Sequence, residues 1–284
     1  GDIDQESALR FVGGASVRPG VLVARAGGLS FARADHQRFL AAVHLAGDLH
    51  EQTQGDADEA LQTLKGWSRT AEAREDLLDV FEVLAERPGL AEKVYKQVLG
   101  RHKDRTLGEL DDLGPLALAL RDGDGGVPAR VQGAAGKLVH EAVNRWARER
   151  NRVPVWTPDL SPVAALEELG SLDLSGCTRV TDLGPLSGLH KLTRLDLQGC
   201  AAVEDLGPLA NLQALQWADV RGLEQVDDVS PLGAIAGLRW LDLGGCTSLT
   251  DLSPLTRLTH LQALVLHGCT GVEDLSPLTA LRSL

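Results

Sequence analysis

The sequence predicts an α+β fold in two parts, a helical N-terminal region followed by a solenoid built on one parallel sheet. Three observations carry this. A Gly-Cys dipeptide or its equivalent recurs every 23 residues, at Gly176-Cys177, Gly199-Cys200, Gly222-Leu223, Gly245-Cys246 and Gly268-Cys269. Aliphatic residues stand eleven, eight, five and three places before the cysteine position, as in Leu166, Leu169, Leu172 and Leu174. Before Pro154 the apolar residues instead fall at three- and four-residue spacing. A fixed period in this range means stacked units that bury a common core, whereas the second spacing is helical.

Taken along the chain, Gly20 to Phe31 reads as a strand, a glycine turn and a second strand. Helical periodicity follows near Arg33 to Leu45, Thr70 to Glu86, Leu90 to Gly100, Thr106 to Asp122 and Ala129 to Arg150, separated by breakers such as Arg87-Pro88-Gly89 and Gly123-Asp124-Gly125-Gly126. Within each repeat, Leu172-Asp173-Leu174 and its equivalents alternate apolar and polar and predict a short strand with one buried face. Each repeat then carries a second string: Asp182 to Leu186, Asp205 to Leu209, Asp228 to Leu232, Asp251 to Leu255 and Asp274 to Leu278. Asp before a proline that fixes φ predicts a capped, short helical segment on the convex side.

Asp159 to Val163 stands in the same register, so the solenoid is expected to begin near Pro154; Leu281 and Leu284 start a further repeat. The expected divisions are 1–31, 32–153 and 154–284, the last holding five full repeats with partial ones at both ends. A solenoid closes with a polar capping unit, and none is seen here. Together with the absence of methionine and the initial glycine, this leads to the expectation of a piece of a larger protein.

The LxxLxxLxL spacing resembles the leucine-rich-repeat family, and the DLxPL string resembles its short bacterial type; the implied fold is a right-handed leucine-rich-repeat solenoid. The strand–turn–strand of Gly20 to Phe31, followed by Phe39-Leu40-Ala41-Ala42, resembles the end of the winged-helix region of NACHT-type STAND ATPases. Family members commonly carry His after the Phe and Glu before the "FLAA"-like string, where this chain has Ala32 or Arg33, and Arg38. The resemblance implies that segment 1–31 is a winged-helix remnant. The order of hairpin, helices and repeats is similar to that of NLR-like immune sensors.

No apolar run approaches 18 residues and no signal peptide is present, which predicts a soluble, cytoplasmic protein without membrane partners. The net charge is −12; from Pro154 onward 16 acidic residues stand against 7 basic ones, a net −9. An acidic solenoid argues against a nucleic-acid backbone as partner and for a basic protein surface. Cys177, Cys200, Cys246 and Cys269 share one repeat position. In leucine-rich repeats that position faces inward, which implies a buried ladder of small hydrophobic thiols; disulfide, metal and nucleophile roles are the alternatives.

Gly133-Ala134-Ala135-Gly136-Lys137-Leu138 is two residues too short for a P-loop, and Leu138 stands where Ser or Thr would reach Mg²⁺. His140-Glu141-Ala142-Val143-Asn144 lacks the second His of a zincin. No cofactor, metal or catalytic residue is expected in this chain.

Residues six, four and two before each cysteine position are expected to point out of a concave sheet. The columns are Ser171, Arg194, Trp217, Trp240, Ala263; Asp173, Asp196, Asp219, Asp242, Val265; and Ser175, Gln198, Arg221, Gly244, His267. Trp217 and Trp240 on adjacent strands are either binding hot spots or a stack, with each other or on Arg194, that shields the sheet. The aspartates form a solvated acidic stripe, a landing site for a basic partner, or a Ca²⁺ site, with Arg194 and Arg221 offsetting their repulsion. Trp217, Trp240, Arg194, Arg221, Asp173, Asp196, Asp219, Asp242 and His267 are the candidate ligand-binding residues.

The resemblance implies a non-enzymatic ligand-recognition region of a bacterial NLR-like protein in antiphage innate immunity. Its solenoid would bind a phage-derived protein and release an upstream ATPase of the same protein. The alternative is a free-standing leucine-rich-repeat adaptor or scaffold. The two differ in what precedes Gly1: a P-loop strand and helix far upstream, or an initiator Met close by.

Overall fold

The structure, a computed structural model, describes residues 22–25, 28–31, 61–62, 64–65, 88–100, 105–123 and 127–284. Helices accompany a five-stranded parallel sheet, so the α+β class is as expected. The chain divides into two compact units, 1–139 and 140–284.

In the first unit, β1 (Leu22–Arg25) and β2 (Gly28–Phe31) pair antiparallel from Leu22↔Phe31 to Arg25↔Gly28, as the strand–turn–strand reading requires. The helices expected near Arg33 to Leu45 and Thr70 to Glu86, and the Phe39 to Ala42 string, lie outside the described residues. Helix α1 spans Pro88–Leu99. Pro88 and Gly89, read from sequence as a breaker, are therefore its first residues; a proline costs nothing where the first N–H groups have no partner within the helix.

Helix α2 (Leu107–Asp122) starts at a capping box, in which Thr106 Oγ1 accepts from Glu109 N and Glu109 Oε2 accepts from Thr106 N at 2.8 Å. It is buried without a break from Leu113 to Leu120, including Pro115, and so is enclosed where the spacing had suggested one apolar stripe. Helix α3 (Ala129–Arg150) runs across the unit boundary and contains the Gly133 to Leu138 run. The backbone N–H groups there belong to a helix interior, so that run forms no phosphate-cradling loop.

The second unit repeats one device. Strands β3 (Ser171–Asp173), β4 (Arg194–Asp196), β5 (Trp217–Asp219), β6 (Trp240–Asp242) and β7 (Ala263–Val265) pair in chain order, each one period from the next. Pairing continues beyond the strands, through bonds such as Leu197 N to Asp219 O (2.7 Å) and Gly199 N to Arg221 O (2.8 Å). Then the chain turns sharply. Gly176, Gly199, Gly222, Gly245 and Gly268 all have φ between 71° and 76°, a left-handed conformation that explains why the dipeptide begins with glycine in every copy. The backbone returns through 3₁₀ segments at Ser161–Val163, Gly184–Leu186, Gly207–Asn211, Ser253–Arg257 and Ser276–Ala280, and through a short helix α4 (Ser230–Gly233) in the third copy.

The leucines of the signature fill the interior; Leu189, Leu192, Leu195 and Leu197 of the second copy are all fully buried. At the outer edge of β3, Arg152 adds a parallel bridge to Asp173, with Asp173 N donating to Asn151 O at 2.7 Å. Asn144 of α3 donates its Nδ2 to Pro162 O at 3.0 Å, which ties this helix to the first 3₁₀ segment.

Candidate interaction face

The first column on the polar face of the sheet forms one continuous stack. Trp217 and Trp240 pair across β5 and β6, their rings 4.4 Å apart at the centroids and 5° from parallel. Arg194 lays its guanidinium on Trp217, with Cζ 3.5 Å from the ring centroid. Strand pairing places each group one strand from the next, so the planes follow the sheet spacing. Both tryptophans are half-buried, because each covers a face of the other.

The aspartate column behaves differently from a solvated stripe. Asp173, Asp196, Asp219 and Asp242 each accept, through Oδ1, a bond from the backbone N–H two residues on: Ser175 (2.8 Å), Gln198 (3.0 Å), Arg221 (3.1 Å) and Gly244 (2.8 Å). Their first role is therefore to end the strand before the left-handed glycine. Asp219 and Asp242 are 1% and 5% exposed, which corrects the expectation of open carboxylates at these two positions.

Arg221 is the reason two adjacent buried charges are tolerated. Its guanidinium reaches Asp219 Oδ2 at 2.8 Å and Asp242 Oδ2 at 3.6 Å and donates to Gln198 Oε1 at 2.9 Å. The bond to Asp219 raises the Arg221 pKa. Among the described residues Asp196 has no such ion pair: burial, opposed by the Gln198 N–H and the Arg194 charge and reinforced by Asp219 and Asp173, pushes its carboxyl up. Asp173 has Arg152 at 3.8 Å. His267 is exposed at the end of the third column, and Val265 ends the aspartate column on β7.

The cysteine ladder is internal. All four thiols are free and buried, and each Sγ donates to a backbone carbonyl of the preceding turn: Cys177 to Pro154 (3.8 Å), Cys200 to Leu174 (3.1 Å), Cys246 to Val220 (3.4 Å) and Cys269 to Leu243 (3.0 Å). Burial pushes the Cys177, Cys200 and Cys246 thiols up to about 12 and raises that of Cys269. Such thiols are poor nucleophiles.

The second aspartate column forms turns instead of the expected helix caps: the N-cap is the next residue, Leu183, Leu206, Val229, Leu252 or Leu275, which makes no side-chain cap bond, and each Asp stands two residues before its segment. Asp182, Asp205, Asp228, Asp251 and Asp274 accept from the N–H of the residue two on, at 2.7 or 2.8 Å. Hydrogen bonds from Ser253 to Asp251 and from Ser276 to Asp274 hold those carboxyls below their ordinary range.

The structure thus brings Arg194, Trp217 and Trp240 into one cluster and Arg221, Asp219 and Asp242 into another. The strand-ending role of the second group was missed, although the sequence carries its signal: Asp stands three residues before the left-handed glycine in the first four copies. Among the described residues, no group of three or more His, Cys, Asp or Glu side chains is placed to hold a metal ion. Among the described residues, no helix is long and apolar enough to cross a membrane. No protein-family model matches the chain, and no curated protein matches it.

Proposed function

We propose that this chain is the ligand-recognition region of a bacterial NLR-like NACHT/STAND protein, acting in the cytoplasm in antiphage defence. Residues 154–284 are read as a right-handed leucine-rich-repeat solenoid whose concave sheet binds a protein, and the β1–β2 hairpin as the remnant of a winged-helix domain. The ATPase that responds would belong to the same protein, and this region would itself carry no catalysis. One observation carries the proposal: a planar Arg194–Trp217–Trp240 stack stands on the polar face of a parallel sheet, where the repeat needs no large side chain for its own core. Half-buried indoles of this kind bury large apolar area against a partner at low entropic cost.

Because Asp219 and Asp242 are engaged by Arg221, the face offers less bare acid than the column suggests, and stacking comes ahead of salt bridging in the contact. The test is made in the full-length protein, in cells challenged with phage. The double variant Trp217→Ala, Trp240→Ala is expected to accumulate and fold normally yet lose protection, with partner binding weakened by at least about 2 kcal/mol. Unchanged protection in that variant, and in one with the repeats exchanged, would end the sensor reading.

A further inference from the structure

We propose that the outer face of the Trp240 ring, above Ala263, is a slot for an arginine side chain presented by a polypeptide partner. The inference deepens the interaction-face reading and rests on it. Across β4, β5, β6 and β7 the first column runs Arg194, Trp217, Trp240, Ala263, with each residue paired to the next. Three consecutive strands each raise one planar group. The fourth raises a methyl, so the plane that would continue the stack is missing over β7.

The chain itself shows what fits an indole at this spacing, since Arg194 closes the opposite end of the stack at 3.5 Å. An indole face carries the negative lobe of the ring quadrupole and takes a guanidinium more readily than any other aromatic does. The net −9 of residues 154–284 supplies the longer-range attraction for a cation. Arg239, the cation nearest in sequence, is solvent-exposed and therefore screened.

The slot also discriminates. The carboxylate beside it, Asp242, is committed to Gly244 N and Arg221, and Val265 holds the equivalent place on β7. With neither of these positions offering an open carboxylate, recognition depends on flat stacking, which a guanidinium provides and an ammonium does not. Among the described residues neither the Trp217 nor the Trp240 indole N–H has an acceptor, so both are open to a partner's backbone carbonyl.

The experiment uses the full 284-residue chain, ¹⁵N-labelled, and three blocked peptides, Gly-Gly-Arg-Gly-Gly and its Lys and Tyr counterparts. The Trp240 indole resonance, assigned with Trp240→Phe, is expected to move with the arginine peptide, which binds about fivefold or more tightly than the lysine peptide. Ala263→Leu fills the slot and should weaken binding by about fivefold or more. Ala201→Leu, at an exposed site outside the face, should leave it unchanged. If Ala263→Leu does not fold, Trp240→Leu serves, with the same loss expected. The proposal is overturned if the arginine peptide moves no indole resonance, if the tyrosine peptide binds equally well or better, or if the slot variants bind as the parent does. If the slot fails while the paired Trp217→Ala, Trp240→Ala protein still loses protection, only the slot falls; if neither matters, the face falls with it.

Discussion

Each repeat seats one buried apolar side chain beside a left-handed glycine at its cysteine position, and cysteine adds one weak bond to a buried carbonyl. Leu223, larger and without a donor, is fully buried at the same place in the third copy, so burial is what the position requires and the weak bond is an addition. The consequence is chemical silence. With thiols pushed up to about 12, only roughly one in ten thousand of Cys177, Cys200 and Cys246 is a thiolate at pH 8. Ellman's reagent at that pH should leave the native protein almost unlabelled, with Cys269, 9% exposed, reacting first. All four should react promptly in denaturant, and prompt native reaction of Cys200 would mean the ladder is open. The ladder was legible in sequence because a fixed period places like residues alike. The strand aspartates were legible only in direction: strand alternation says which way a side chain leaves the backbone, not how deep it lies. Depth at Asp219 and Asp242 depends on one long side chain, Arg221, folding back over two strands, and no periodicity encodes that.

Among the elements, the turn after each strand shows how one residue selects between two helical geometries. Four full copies turn through 3₁₀ segments, with bonds such as Leu186 N to Leu183 O; in the third, Gly233 N and Ala234 N reach back one residue further, to Val229 O and Ser230 O, which makes α4. The equivalent of Gly233 is Ser187, Ala210, Thr256 or Thr279 in the other copies. A Cβ at 233 would sit 2.2 Å from Pro254 O, a backbone atom of the next turn that cannot step aside. Gly233→Ala should therefore cost about 1–3 kcal/mol, seen as a lower urea midpoint, although alanine is the better helix former. An unchanged midpoint would show that the two turns can separate freely. The proline and the aspartate before it announced a short helical segment in sequence, but the α-against-3₁₀ choice did not show, because it turns on contact with the following repeat. The Pro88 start of α1 was obscured for a related reason, since proline breaks a helix or begins one according to what precedes it.

Over the whole second unit, the two edges of the sheet are not equivalent, and this predicts a gradient of local stability. The β3 edge is covered by the bridge at Arg152, with Val153 N donating to Asp173 O at 3.2 Å. At β7 the ladder stops. Leu174, Leu197, Val220 and Leu243 donate their N–H groups to Asp196, Asp219, Asp242 and Val265 on the next strand, whereas the equivalent Leu266 has no such acceptor among the described residues. The same holds for Gly268 against Gly176, Gly199, Gly222 and Gly245. Side chains follow suit: Leu264 and Leu266 are half-buried, and Leu275 is 55% exposed where its counterparts Leu206, Val229 and Leu252 are buried. An amide without an acceptor at a partly hydrated edge exchanges through local fluctuation, while those of interior strands wait for larger openings. Hydrogen exchange followed by NMR should thus rank Leu197, Val220 and Leu243 as slow and Leu266 and Gly268 as fast, with the step falling between β6 and β7. Because the columns on the polar face run across these strands, the same gradient leaves Arg194 and Trp217 on the rigid side and sets Trp240 next to the softest strand. Slow exchange at Leu266, equal to that of Leu243, would contradict this and show that in solution another chain pairs with β7.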